Sequence, residues 1–281
     1  MAASRNGARE SPRHSLASAS SAPTPGALST ACGRYRRLVA ATTVPEVIAR
    51  MRAIEAAGKS SDGVVCFSRL YRQVTKGVNA RLAAGSFADP RFLERLDVVF
   101  ANLFFGAVEA NEHDPARTPA AWAPLFAARS SRGIAPLQFA LAGMNAHINR
   151  DLPVALVTTC EELGLELRGD SPEHSDYLLV NGLLEQVEAQ VKASFLPGSL
   201  GFLDRILHRF DRIDDVVAMW NVRRARDAAW TNAETLWALR SEELLRTQFM
   251  DALDRMVGFA GRGLLVPTYT VLGKLARRLG A

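Results

Sequence analysis

The segment Leu137-Gln-Phe-Ala-Leu-Ala-Gly-Met-Asn-Ala-His-Ile-Asn-Arg-Asp-Leu-Pro153 carries the side chains best suited to chemistry. Wound at about 100° per residue, it places Leu137, Ala140, Leu141, Met144 and Ile148 on one apolar face, with His147 and Asp151 at the edge of that face. Gln138, Asn145 and Asn149 fall on a separate polar stripe. A His and an Asp one helical turn apart can hold a divalent metal ion or a water between their tips. They can also form an acid/base couple in which the carboxylate fixes the imidazole tautomer. A purely structural use competes with both. Asp151 stands ahead of Leu152-Pro153, the position of an N-cap for the next helix, and His147 can be a core histidine satisfied by it.

Partners for this pair are expected on a helix over 93–111. Asn102 interrupts the run Val98-Val-Phe-Ala-Asn-Leu-Phe-Phe105, and a carboxamide buried there must find hydrogen bonds. His147 and Asn145 are the candidates. The expected site then reads as follows: His147 is ligand or general base, Asp151 is second ligand or orienter, and Asn102, Asn145 and Asn149 position a substrate. A long helix expected from about Asp214 to Arg240 supplies a second wall. Trp220, Asp227 and Glu234 recur every seven residues, as do Trp230 and Trp237, which sets an aromatic stripe beside a charged one. There Arg224 or Arg226 would bind an anion and Trp230 would line the pocket; a Trp-rich core helix with surface ion pairs is the simpler use. Tyr71 and Thr75 punctuate the second helix, and Asn181 with Glu185 reads as a capping or solvated pair. The run Glu109, Glu112, His113, Asp114 sits at a helix end and reads as an exposed charged loop. Gly258-Phe-Ala-Gly-Arg-Gly263 lacks the strand and spacing of a phosphate loop, and its glycines are expected to permit close packing or to end a helix.

Stepwise start and stop signals supply the elements that would hold these residues. Thr43-Val-Pro-Glu46 is a capping box, and its helix should end at Gly58. Ser61 or Asp62 opens a helix to about Ala84, Asp89-Pro90 one to about Asn111, and Thr118-Pro119 a short one ending before Gly133. Pro136 opens one to about Arg150, Asp151-Leu-Pro153 one to Gly164, and Ser175 one through about Phe195. Helices over 200–210, from about Asp214 to Arg240, from Ser241 to about Gly261 and after Pro267 complete the set. Leu and Ala are abundant and no strict period-2 run or Asn-Gly hairpin occurs. The expectation is an all-α fold, a single bundle of roughly ten helices with short connections, over residues 35–281, behind a disordered Ser/Ala/Pro-rich tail at 1–34.

Hydrophobic residues make up 48% of the 281, enough for a substantial core. The formal net charge of +5 is concentrated at the ends, in an Arg-rich stretch whose only acid is Glu10 and in Lys274, Arg277 and Arg278. No basic cluster with interleaved aromatics follows a helix face, so nucleic acid is not an expected partner. No apolar run reaches membrane-spanning length. Cys32, Cys66 and Cys160 are too scattered for a disulfide framework or a zinc site and read as buried thiols in a reducing compartment. A cytoplasmic location follows as an expectation.

Longer strings carry a resemblance. Phe67-Ser-Arg-Leu-Tyr71, Phe87-Ala-Asp-Pro-Arg-Phe-Leu93, Leu96-Asp-Val-Val-Phe-Ala-Asn-Leu103 and Pro136-Leu-Gln-Phe-Ala-Leu-Ala-Gly-Met-Asn-Ala-His-Ile-Asn149 are similar to a bacterial family catalogued as domain of unknown function 5995. Val180-Asn181, Trp237-Ala-Leu-Arg240 and Gly261-Arg-Gly-Leu-Leu-Val-Pro267 fit it too, so the resemblance spans about residues 35–270. It implies no particular activity. His147-Ile-Asn-Arg-Asp151-Leu-Pro153 also resembles, over those few residues, the helical zinc-dependent phospholipase C and nuclease group. With five histidines in all, and His14 in the tail, a multinuclear cluster cannot be assembled, which leaves one divalent metal at His147 and Asp151.

Two functional classes follow, with a structural one behind them. The first is a small-molecule enzyme, with hydrolysis as the default reaction, around His147, Asp151 and Asn102. The second is a non-catalytic module that binds a hydrophobic small molecule against Met144, Phe104, Phe105, Trp230 and Trp237. The third is a bundle that associates through its basic C-terminal helix.

Overall fold

Side-chain capping sets most of the helix boundaries. In the computed structural model, residues 40–195 and 221–267 are described, without the side chains of 185–195. Thr43 caps α1 (Val44–Ala57) by accepting from the Glu46 N–H, while the Glu46 carboxylate accepts from the N–H and hydroxyl of Thr42 rather than from the cap itself. Asp62 caps α2 (Gly63–Ala83) at the Val64 N–H, and Asp89 caps α3 (Pro90–His113) at the Phe92 N–H. The fourth helix, α4 (Ala123–Ala128), is shorter than expected. It is followed by α5 (Pro136–Ala146) and α6 (Leu152–Leu163), which stops at Gly164 with φ 66°, a left-handed stop suited to glycine. Next come α7 (Pro172–Phe195), α8 (Val222–Ala238), capped by Asn221, and α9 (Glu243–Leu264). The fold is all-α, with no strand among the described residues. The helix expected from about Asp214 to Arg240 begins at Val222 instead, because Asn221 is extended (φ −117°, ψ 106°) and caps it. The expected helices over 200–210 and after Pro267, and the 1–34 tail, lie outside the described residues.

One boundary differs from expectation in a way that matters for the site. Asp151 does not cap a new helix: its backbone is helical (φ −83°, ψ −36°) and its side chain makes no capping bond. Residues His147–Asp151 form a π turn instead, and the Leu152 N–H donates to the His147 carbonyl five residues back. Pro153 lacks an N–H, and its ring crowds the carbonyl one turn earlier. The wider turn accommodates both without breaking the rod, so α5 and α6 run on continuously through the residues of interest.

Two hydrophobic clusters fill the bundle. One gathers Met51 and Ile54 of α1 with Phe67, Phe104, Trp122 and Phe139. The other gathers Phe92, Leu152, Leu156, Tyr177 and Leu236. Each such fully buried side chain contributes about 1.5–3 kcal/mol of transfer free energy. Phe100 and Met144 pack against both clusters, so α3 and α5 stand at the seam. α9 closes one side. Its Gly258 lies so near the Ala120 carbonyl that a Cβ would collide with backbone, and its Asp254 accepts from the N–H groups of Ala120 and Ala121 at 2.6 and 3.0 Å. No helix among the described residues is long and apolar enough to cross a membrane.

Candidate functional site

A cavity of about 80 Å3 lies at that seam. Each wall is one face of a helix. α2 contributes Phe67, Leu70, Tyr71, Val74 and Val78, a run at three- and four-residue steps. α3 contributes Leu93, Leu96, Asp97 and Phe100 at the same steps. The α5–π-turn–α6 rod contributes Met144, His147, Ile148 and Leu152; α7 adds Val180 and Leu184, and α8 adds Arg226. The lining is therefore apolar except for Tyr71, Asp97, His147 and Arg226.

His147 is the best-oriented of the four. Its Nδ1 lies 3.1 Å from Asp151 Oδ2. Asp151 is fully buried and also accepts from Trp122 Nε1 at Oδ2 (2.9 Å) and from Arg150 Nη1 at Oδ1 (2.8 Å). With three groups directed at it, the carboxylate is an acceptor throughout. The contact fits an imidazole that donates from Nδ1 to the carboxylate, the tautomer that leaves the lone pair on Nε2. Nε2 is buried and has no hydrogen-bond partner. Phe100 stacks on the imidazole at 3.5 Å with an interplanar angle of 5°, and Tyr71 meets it edge-on at 4.4 Å. Burial pushes the His147 pKa below its ordinary value, and the bond to Asp151 only partly opposes this, so the ring is held in its neutral form.

Asp97 and Tyr71 complete the polar side of the cavity. Asp97 Oδ2 is buried without a hydrogen bond, and the buried Tyr71 hydroxyl has only the Thr75 hydroxyl, one turn on, beside it. Burial pushes the Asp97 carboxyl up to about 7. Burial first, and the nearby Asp97 carboxyl next, hold the Tyr71 phenol well above its usual range. Unsatisfied polar groups in an apolar cavity cost stability, and here Asp97 Oδ2 on α3 and His147 Nε2 on the π turn share that condition.

An outer network fixes the inner one. Arg150, bonded to Asp151, lies 3.5 Å from Asp254 on α9, and Asp254 anchors the backbone just ahead of Trp122. Trp122 in turn donates to Asp151. α9, the approach to α4 and the π turn thus converge on one buried carboxylate.

Several sequence expectations change here. Asn102 does not meet His147 or Asn145: its side chain exchanges two hydrogen bonds, of 2.9 and 2.8 Å, with the backbone of Ala41, and it tethers the segment leading into α1. Asn145 donates to the Val257 carbonyl and Asn149 to Asn145 Oδ1, so both serve the α5–α9 contact and neither lines the cavity. Arg224 is exposed. Trp230 is buried against His174 and Tyr177 and donates to Glu234, away from the cavity. Of the hydrophobic lining expected for a binding module, only Met144 faces the cavity; Phe104, Phe105, Trp230 and Trp237 pack elsewhere. His147 and Asp151 do not point at a common ion, because they are bonded to each other and both Asp151 oxygens are taken by donors. No cluster of three potential ligands occurs among the described residues. The donor set does not fit the single divalent metal expected from the sequence. Cys66 and Cys160 are buried free thiols, pushed up to about 11 and about 12 by burial. Cys32 lies outside the described residues.

Asp97 and Arg226 were the signals to follow. Asp97 occupies an apolar phase between Leu93, Leu96 and Phe100, and Arg226 occupies one between Val222, Ala229, Trp230 and Ala233. An ionisable residue in the buried stripe of an amphipathic helix is a stronger pointer to a site than a short i, i+4 pattern.

Comparison with known proteins agrees with the longer of the two resemblances. The model of a family of unknown function (DUF5995) matches residues 44–267, and the chain belongs to that family. No curated protein and no solved structure matches it. The short likeness to zinc-dependent phospholipases is not borne out.

Proposed function

We propose that this protein is a small-molecule enzyme working by proton transfer at His147 within the seam cavity, with water-activated hydrolysis as the first reaction to test. The observation that carries the reading is the arrangement of the imidazole. Nδ1 is tied to Asp151, while Nε2 is unpartnered at an apolar cavity that also holds an unpartnered carboxyl. A neutral imidazole with one nitrogen oriented and the other available is the general-base form. Asp97, its carboxyl pushed up to about 7 by burial, and Tyr71 are placed to donate to a substrate oxygen. Metal assistance is not part of the proposal, for the reason the Asp151 bonds give.

Release of p-nitrophenol from its butanoate, hexanoate and octanoate esters tests this. His147→Gln should lower turnover by at least about a hundredfold while leaving the far-ultraviolet spectrum unchanged. Turnover that His147→Gln leaves intact, or none above buffer with any ester, would count against catalysis. The twelve apolar side chains among the sixteen that line the cavity support the second reading, a module that holds a hydrophobic small molecule. Retention of a ligand in native mass spectra without any turnover would favour it.

A further inference from the structure

The cavity has a charged lining residue that the proton-transfer reading does not use. Arg226 is 6% exposed and lines the cavity from α8. Its Nε donates to Asn181 Oδ1 at 2.6 Å, its Nη2 donates to the Tyr177 carbonyl at 2.7 Å, and the guanidinium lies 3.8 Å over the Tyr177 ring. These contacts fix its plane but are all with neutral groups. No carboxylate among the described residues forms an ion pair with it. Asp227, its sequence neighbour, is exposed, and its charge only partly offsets the cost of burying the guanidinium. Asp97 lies in the same cavity but makes no ion pair with the guanidinium. A guanidinium does not escape burial by losing its proton, so an isolated one in an apolar wall calls for an anion from outside.

We propose that the seam cavity takes a small amphipathic monocarboxylate, with its carboxylate on Arg226 and its hydrocarbon body running between α3, α7 and the α5–α6 rod towards His147. This rests on the reading of the cavity as the functional site and names the class of molecule that enters it. Val180 and Leu184 on α7, Leu93 and Leu96 on α3, and Ile148 and Leu152 on the rod supply the apolar path. Asn181 and Tyr177 hold the fork rigid, so little ordering remains to be done when a carboxylate arrives. The polar pole at His147, Tyr71 and Asp97 would then meet the uncharged end of the ligand.

Binding to the wild-type protein decides the matter without any substitution. Hexanoate and octanoate, measured by calorimetry against 1-hexanol, 1-octanol and hexylammonium, should bind at least about tenfold more tightly than the alcohol of the same length, the margin of one charge-assisted hydrogen bond. Hexylammonium should not bind. Arg226→Met, if it folds, should bring carboxylate and alcohol to equal affinity, and Arg226→Lys should keep a reduced preference. Equal binding of alcohol and carboxylate by the wild type, or no carboxylate binding, overturns the proposal. The two proposals fail separately. Loss of the carboxylate preference alongside His147-dependent ester turnover removes only this one. A clear preference alongside turnover that His147→Gln leaves untouched removes only the proton-transfer reading.

Discussion

Asp97 shows at the residue scale how a cavity of this kind affects both stability and chemistry. Its carboxyl has an ordinary pKa of 3.8 and is pushed up to about 7 by burial. The folded chain therefore holds this proton more tightly than the unfolded chain does, and stability falls as pH rises between those two values. Asp97→Asn has nothing to titrate there. Relative to that variant, the wild type should lose roughly 2 kcal/mol of stability between about pH 5 and about pH 7, on the order of 5 °C in Tm for a domain of this size. Melting curves of the two proteins across that range check it, and parallel curves would mean that Asp97 ionises in the fold as freely as in water. His147 works in the opposite direction. Its folded-state pKa lies below the usual value, so it removes stability as pH falls through the histidine range, and the comparison with Asp97→Asn cancels that contribution because both proteins carry it. His147 and Asp151 were legible in the sequence as a pair, since the one-turn spacing survives the π turn. Their use was not. Whether Asp151 caps, ligates or orients depends on Trp122 and Arg150, and Trp122 reaches it across the fold from the approach to α4.

The element that does most for the site is the continuous α5–π-turn–α6 rod. Its close approach to α2 is made possible by Gly143, where a Cβ would enter the Phe67 ring. Phe67 lines the cavity and packs edge-on to His147 at 5.5 Å. Gly143→Ala should therefore destabilise by about 1–3 kcal/mol, the ordinary cost of overfilling a packed core, even though alanine is the better helix former. A lowered denaturation midpoint at unchanged slope is the expected observation; a midpoint at or above the wild type's would mean that the α2–α5 contact has slack. Caps and prolines made most helices readable, because Thr43, Asp62 and Asp89 act within a few residues of themselves. The α5–α6 boundary was misread because Pro153 signals a helix start and a π turn equally well. The partner of Asn102 was misread because Ala41 offers only backbone, which no side-chain pattern reveals.

Across the whole molecule, the cavity exists because two hydrophobic clusters meet at Phe100 and Met144 without filling the space between them. A seam of this kind is invisible to periodicity, which assigns each residue a face but not an opposite number. The all-α class was readable from composition and caps. The convergence of α2, α3, the rod, α7 and α8 on one cavity was not. The proposed chemistry needs a neutral imidazole at this seam with its Nε2 lone pair available. Long-range nitrogen–proton correlation spectra of the His147 ring, assigned by comparison with His147→Gln, test it most directly. The ring should be neutral and protonated on Nδ1 at about pH 6.5, where a free histidine is half charged. A ring protonated on both nitrogens at that pH, or a neutral ring with its proton on Nε2, would contradict it.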